Sequence, residues 1–204
     1  MPRPRSFDTD TLIEDLCEYF WEYGYGATSL DKLAQELGVR RGSLYNAFGS
    51  KEALFNAAFE RYEQKFRAAF ETNTDGLEAI SDYFRNVIKA ATTKGMGRGC
   101  FLVNLLMSNE IPTPELQQAV ERDVTFMKTF LQTHLCIVKS KEQLQPDISV
   151  QTGVNILFGA VIGVFALART QASPLIIQNY IDNNFRGLFN NDASTRTIQL
   201  IQTN

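Results

Sequence analysis

The sequence predicts an all-α fold, with a three-helix helix-turn-helix unit at the N-terminus and a larger helical domain behind it. Three observations carry that expectation. Apolar residues recur every three to four positions along most of the chain, the period of one face of an α-helix. Gly, Ser, Thr and Pro stand where helices start and stop. No segment alternates apolar and polar residues in the way a half-buried strand does. At 204 residues, 44% hydrophobic and 21% charged, the chain is long enough for one sizeable domain or two small ones, and its composition indicates neither disorder nor a fibrous repeat.

The elements follow in order. Leu12, Ile13, Leu16, Cys17 and Phe20 form a first apolar stripe, which Gly24 and Gly26 stop. A second helix starts at Thr28, whose hydroxyl is expected to cap it while Asp31 reaches back in a capping-box arrangement. Its stripe is Leu30, Leu33, Ala34 and Leu37, and Gly38 ends it as a left-handed cap. The third helix contains Leu44, Tyr45 and Phe48 and closes at Gly49. Ser50 caps the fourth, whose stripe is Leu54, Phe55, Ala58, Phe59, Tyr62 and Phe66. Two short helices joined by a tight turn at Gly38, with another helix before them, make a helix-turn-helix unit. The competing reading is a corner of an ordinary helical bundle.

After Phe70 the polar break "ETNTDG" marks the start of the second domain. Helical stripes are expected over 77–91, 100–109 and 113–138, then over 149–169 and 174–189 as the last two helices, with Pro174 placed in a first turn. The organisation is therefore 1–52 for the helix-turn-helix domain, about 51–70 for a connecting fourth helix, and 71–204 for the second domain. The apolar run at 154–168 is shorter than the about 20 residues a membrane span needs, and reads as a buried or interfacial helix.

Charge and cysteine content narrow the function classes. The start "MPRPRSFDTD" has no apolar core of a secretory signal, so a cytoplasmic protein is expected. Cys17, Cys100 and Cys136 match neither a disulfide framework nor a zinc spacing. His134 is the single histidine, so a multi-histidine metal site or a Ser-His-Asp triad has no support, and no convergent set of titratable groups suggests an enzyme. The glycines around "TTKGMGRGC" do not form a dinucleotide fingerprint, and no cofactor or metal is expected. A net charge of −3 argues against indiscriminate coating of nucleic acid, so any such site must be local.

Such a local site is offered by the third helix. Its outward residues are expected to be Arg40, Arg41, Ser43, Asn46 and Tyr45, donors for phosphates and base edges with no carboxylate among them. Arg40 or Arg41 can make a bidentate contact to guanine, or both can contact phosphate. Gly42 permits close backbone approach, or serves only helix packing. Arg3 and Arg5, in a Pro-spaced tail, are candidates for a minor-groove arm.

The stretch "GATSLDKLAQELGVRRGSLYNAFGSKEALFNAAF" closely resembles the DNA-binding region of the tetracycline-repressor (TetR) family of bacterial transcription regulators. The matching features are the threonine at position 28, "LAQELGV", Gly42, the pair Leu44 and Tyr45, Phe48 and "SKEALF". The resemblance implies that the third helix enters the major groove, with Arg40, Arg41, Gly42 and Ser43 near base edges and Tyr45, Asn46 and Lys51 mainly on phosphate. It puts Thr28 and Ser29 on phosphate at a helix N-terminus. Members of the family often carry a small hydroxyl residue at the position of Arg40 and a His at that of Ala47, and this chain departs from both.

The resemblance further implies a C-terminal effector-binding and dimerization domain, a homodimer on a palindromic operator, and release from DNA by a small molecule. Gly159, Gly163 and Ala166 are expected at the dimer interface, since small residues let another helix approach; the alternative is that these glycines pack within one subunit. The effector pocket is expected among Cys100, Phe101, Asn104, Met107, Phe126, Phe130, His134, Phe158 and Ile162, with Tyr83 and Phe165 as further candidates, a lining suited to an apolar or aromatic compound. Aromatic residues at that spacing also make plain core. Cys100, at a helix start near Arg98, is either a reactive thiol or a small core residue; Cys17 and Cys136 look structural. A helical protein-interaction module without a DNA role is the alternative function.

Overall fold

The computed structural model describes residues 8–93, 97–108 and 111–202. Arg3 and Arg5 lie outside them. The described chain forms ten helices, and the only strand-like pairing among the described residues is one bridge between Leu144 and Phe189. Contacts divide the chain into two compact units: Met1–Arg67 with Asn104–Val120, and Ala68–Val103 with Glu121–Asn204.

In the first unit, helix α1 (Thr9–Tyr23) begins at Asp8, whose carboxylate accepts from the Thr11 amide at 3.3 Å and saturates one of the donors left over at a helix start. α1 buries Leu16, Cys17 and Phe20, and α4 (Lys51–Ala68) buries Leu54, Phe55, Phe59 and Tyr62. The two faces meet edge to face, Phe20 on Phe55 at 4.8 Å and Trp21 on Tyr62 at 5.2 Å between ring centroids. Outside that apolar seam, Glu14 accepts from Lys65 and Arg61, and these two bonds hold its carboxyl below the ordinary range. Between α1 and α4 stand α2 (Leu30–Glu36) and α3 (Arg41–Phe48), anchored by fully buried Leu33 and Leu44.

In the second unit, α5 (Gly76–Thr92) is the central element. Its buried face, including Ile80, Phe84 and Val87, packs against α8 (Val150–Arg169), α9 (Pro174–Leu188) and α10 (Asn191–Gln202). α6 (Phe101–Leu106) and α7 (Pro114–Ser140) each run across the boundary between the two groupings. α8 is long and apolar enough to cross a membrane by length and composition, yet Val154, Leu157, Ala160, Val161 and Val164 are buried in the chain's own core, as expected of a core helix. Gly153 lets Leu135 and Leu188 close over it.

Two sequence expectations need correction. α9 is not the last helix: 191–202 forms α10, a polar segment whose sparse stripe of Ala193, Thr197, Ile198 and Ile201 escaped the periodicity reading. Asn190 caps it, accepting from the Ala193 amide at 2.9 Å, and the Arg85 guanidinium donates to the Leu200 carbonyl at 3.1 and 2.6 Å near its end. Cys136 is not structural core but exposed, since it points away from the face of α7 that buries Leu131, Leu135 and Val138.

Candidate functional site

The α2–α3 pair is built around its turn. Gly38 has φ +64°, a left-handed conformation that a side chain disfavours. That geometry brings the Val39 amide onto the Ala34 carbonyl at 3.0 Å and satisfies the end of α2 before α3 begins. α3 closes at Gly49, φ +85°, where the amide returns to the Tyr45 carbonyl at 2.8 Å. Ser50 accepts from the Ala53 amide at 3.1 Å, so the hydroxyl expected to cap α4 does so.

The cap of α2 differs from the expectation. Ser29, not Thr28, holds that position and accepts from the Lys32 amide at 3.2 Å. Thr28 is buried and donates its hydroxyl to the Gly24 carbonyl at 2.7 Å, tying the end of α1 to the start of α2. The Thr28 hydroxyl is taken up by that carbonyl, and the following serine, exposed, is left to the helix start. The exposed hydroxyl at this N-terminus is therefore that of Ser29.

With Leu44 turned inward, α3 presents Arg40, Arg41, Gly42, Tyr45 and Asn46 to solvent, and Ser43 is half-buried beside them. Tyr45 is 59% exposed, a large aromatic side chain with no apolar cover. A side chain at Gly42 would meet nothing within 4 Å, so its lack of one serves no packing among the described residues; it keeps the surface low between the arginines and Tyr45. α3 itself carries no carboxylate, but α2 brings one: Asp31 accepts from Arg41 Nη1 at 2.9 and 3.0 Å. Sequence reasoning missed this pair because it assigned Asp31 to a capping box, and only the turn decides that the two side chains meet. Lys51 Nζ sits 3.9 Å from the centroid of the Tyr25 ring, whose hydroxyl donates to Glu52 at 2.6 Å and lowers that carboxyl's pKa.

In the second unit, three of the expected effector-pocket residues come together. Phe126, Phe130 and His134 join Phe70 and Tyr83, with Phe70 stacked on Tyr83 at 4.6 Å, edge to face with Phe130 at 5.1 Å and with Phe126 at 5.2 Å. His134 lies against Phe130 at 4.5 Å, and its Nδ1 accepts from the Gly76 amide at 3.1 Å. Burial lowers the His134 pKa and, together with the Cys100 thiol, pushes the Tyr83 phenol well above its ordinary value, so both rings are neutral.

The remaining candidates are placed elsewhere. Cys100 and Phe101 are buried, at 5% and 2% exposure, which fits the core alternative for this thiol. Phe158 carries Lys128 Nζ 4.6 Å from its ring, and Ile162 is half-buried on the same helix. Asn104 and Met107 group with the first unit, and Met107 is 68% exposed, so the expectation that it lines a covered pocket is corrected: α6 ends at Leu106 and releases it to solvent. Among the described residues no cluster of His, Cys, Asp and Glu is arranged to hold a metal. Of the three expected interface residues, Gly159 and Ala166 are exposed. Gly163 is not available, because the Tyr180 ring of α9 fills the space its side chain would take.

Comparison with known proteins agrees with this architecture at both ends. Residues 12–58 match the model of bacterial regulatory proteins of the tetR family, and residues 76–182 match the tetracyclin repressor-like C-terminal domain. The chain is 29% identical over 176 residues to the HTH-type transcriptional repressor ComR of Escherichia coli K12, covering 84% of each. It is 28% identical over 187 residues to the HTH-type transcriptional regulator YezE of Bacillus subtilis 168, covering 89% of this chain and 96% of that one. Among solved structures, a cysteine mutant of the regulator CifR bound to 26-bp double-strand operator DNA superposes with a TM-score of 0.76 at 21% identity, covering 91% of this chain and 99% of that one. A gamma-butyrolactone receptor gives 0.68 at 20% identity, covering 94% and 93%. At these identities the structures establish a shared fold.

Proposed function

The chain belongs to the tetR family of bacterial regulatory proteins, and from that premise we propose that it is a cytoplasmic repressor that binds a palindromic operator as a homodimer and leaves it when a small molecule binds. The family is one of transcriptional regulators, not of enzymes. In this reading 1–52 reads DNA, the helix over about 51–70 connects, and 71–204 binds effector and dimerizes. The observation that carries it is the exposed face of α3, where Arg40, Arg41, Tyr45 and Asn46 surround the open position of Gly42.

The roles follow from the chemistry. Arg40, Arg41, Gly42 and Ser43 approach base edges, while Tyr45, Asn46, Lys51 and Ser29 meet phosphate, Ser29 at a helix N-terminus that favours an anion. Two copies of α3 related by a two-fold axis read two half-sites one helical turn apart. The outward faces of α8 and α9, with Gly159, Ala166, Leu175 and Ile176 exposed, supply the apolar surface for the second copy. The aromatic cluster around Phe70, Tyr83 and Phe130 suits an apolar or aromatic effector. Such an effector must bind the DNA-incompetent state more tightly, and operator DNA must weaken its binding by the same factor.

Fluorescence anisotropy with duplexes from the region flanking the protein's own gene tests the reading, with salt titrated. Saturable binding to one palindromic fragment is expected, with log K falling linearly in log salt and about 0.9 counterion lost per phosphate neutralised. Arg41→Ala and Tyr45→Phe should both weaken it. Binding to no fragment, by a protein that is a stable homodimer, would favour the helical interaction module instead.

A further inference from the structure

We propose that Asp31 is a positioning residue for base recognition: it holds Arg41 by Nη1 and so presents the Nε/Nη2 edge of that guanidinium to a guanine in the major groove. The inference rests on the operator-binding reading and names, within it, the residue that sets one base-pair preference.

The geometry is specific about which nitrogen is used. Both Asp31 carboxylate oxygens accept from Arg41 Nη1, at 3.0 and 2.9 Å. Arg41 makes no other hydrogen bond or ion pair with a described residue. A guanidinium offers two edges with parallel N–H groups, the Nη1/Nη2 end and the Nε/Nη2 side. Engaging Nη1 occupies that nitrogen and leaves the Nε/Nη2 side whole. A two-pronged donor of this kind matches O6 and N7 of guanine, the commonest specific arginine contact in the major groove.

The partners are also placed for it. Asp31 lies in the first turn of α2 and Arg41 is the first residue of α3, and the turn fixed by Gly38 brings them face to face. Arginine carries much rotamer entropy, so an arginine already held in the unbound protein loses less of it on reaching a base. Arg40 supplies the contrast. It is exposed, makes no ion pair with a described residue, and is not held in place before DNA binds.

Charge gives the proposal a signature that a surface ion pair lacks. The Asp31 side chain is 73% exposed, so its carboxylate repels the phosphates of any DNA that reaches α3. Removing it therefore helps non-specific binding, while it harms the one contact that depends on the position of Arg41. The two effects have opposite sign.

The test uses the full-length protein, its operator, a set of single-base-pair substitutions and a scrambled duplex of equal length at one salt concentration. Arg41→Ala should erase the penalty, about tenfold or more, for replacing one G·C pair. Asp31→Asn, nearly isosteric at an exposed site, should reduce the penalty at the same pair to about threefold or less while leaving scrambled binding unchanged or tighter. Arg40→Ala should leave the penalty at that pair at its wild-type size. If Asp31→Asn leaves that penalty at its wild-type size, the positioning role is overturned while the operator reading stands. If the wild type binds no fragment saturably, the operator reading fails and takes this inference with it.

Discussion

His134 shows how much a single side chain depends on its surroundings. Read in sequence it is one histidine on a helical stripe; in the structure it is a neutral acceptor for the Gly76 amide, wedged against Phe130. Burial lowers its folded pKa below the ordinary 6.5, so protonation favours the unfolded chain. Its contribution to stability is complete above the unfolded value and is lost as pH falls through the folded one. Urea unfolding between about pH 7.5 and about pH 5.5 should show the wild type losing stability relative to its own neutral-pH value by more than His134→Gln does. Equal losses in both proteins would remove His134 from the account. The side chains proposed to face DNA were legible earlier because their chemistry is local: Arg40, Tyr45 and Asn46 are exposed where the periodicity put them. Asp31 was not, because its partner is set by a turn and not by spacing along a helix.

At the scale of the element, the glycines of α8 separate into two groups that the sequence could not distinguish. Gly163 faces α9, where the Tyr180 ring occupies the space of a side chain, whereas Gly159 faces outward with nothing within 4 Å. Gly163→Ala should destabilise the chain by about 1–3 kcal/mol through overpacking, measured by chemical unfolding. Most of that cost should vanish in a Tyr180→Leu background, as expected when two residues compete for one space. An unchanged cost there would assign the effect to something other than Tyr180. The helices themselves were readable wherever a broad apolar stripe met a strong stop, as at Gly24, Gly38 and Gly49. α10 was not, since its hold on the core comes from a few apolar residues and from Arg85 reaching the Leu200 carbonyl.

For the whole molecule, the proposed dimer and the proposed operator symmetry stand together. Gly159→Glu places a charge on an open, outward position where the chain itself has room for it. The variant should keep its helical content and thermal unfolding cooperativity, yet sediment as a monomer at concentrations where the wild type is dimeric. Affinity for a palindromic fragment should fall by about tenfold or more, because each half-site then binds alone and loses the high effective concentration of the linked pair. A variant that stays dimeric would move the interface away from this face of α8.

The all-α class, the helix-turn-helix and most helix ends were determined by the sequence alone, because period, caps and glycine stops are local physics written within a few residues of where they act. The family followed from the same stretch. Only the tertiary structure decided which hydroxyl caps α2, which glycines of α8 are already filled by their own chain, and which carboxylate holds Arg41. Those outcomes depend on side chains brought together from different helices, and packing selects among neighbours that spacing along the chain does not specify.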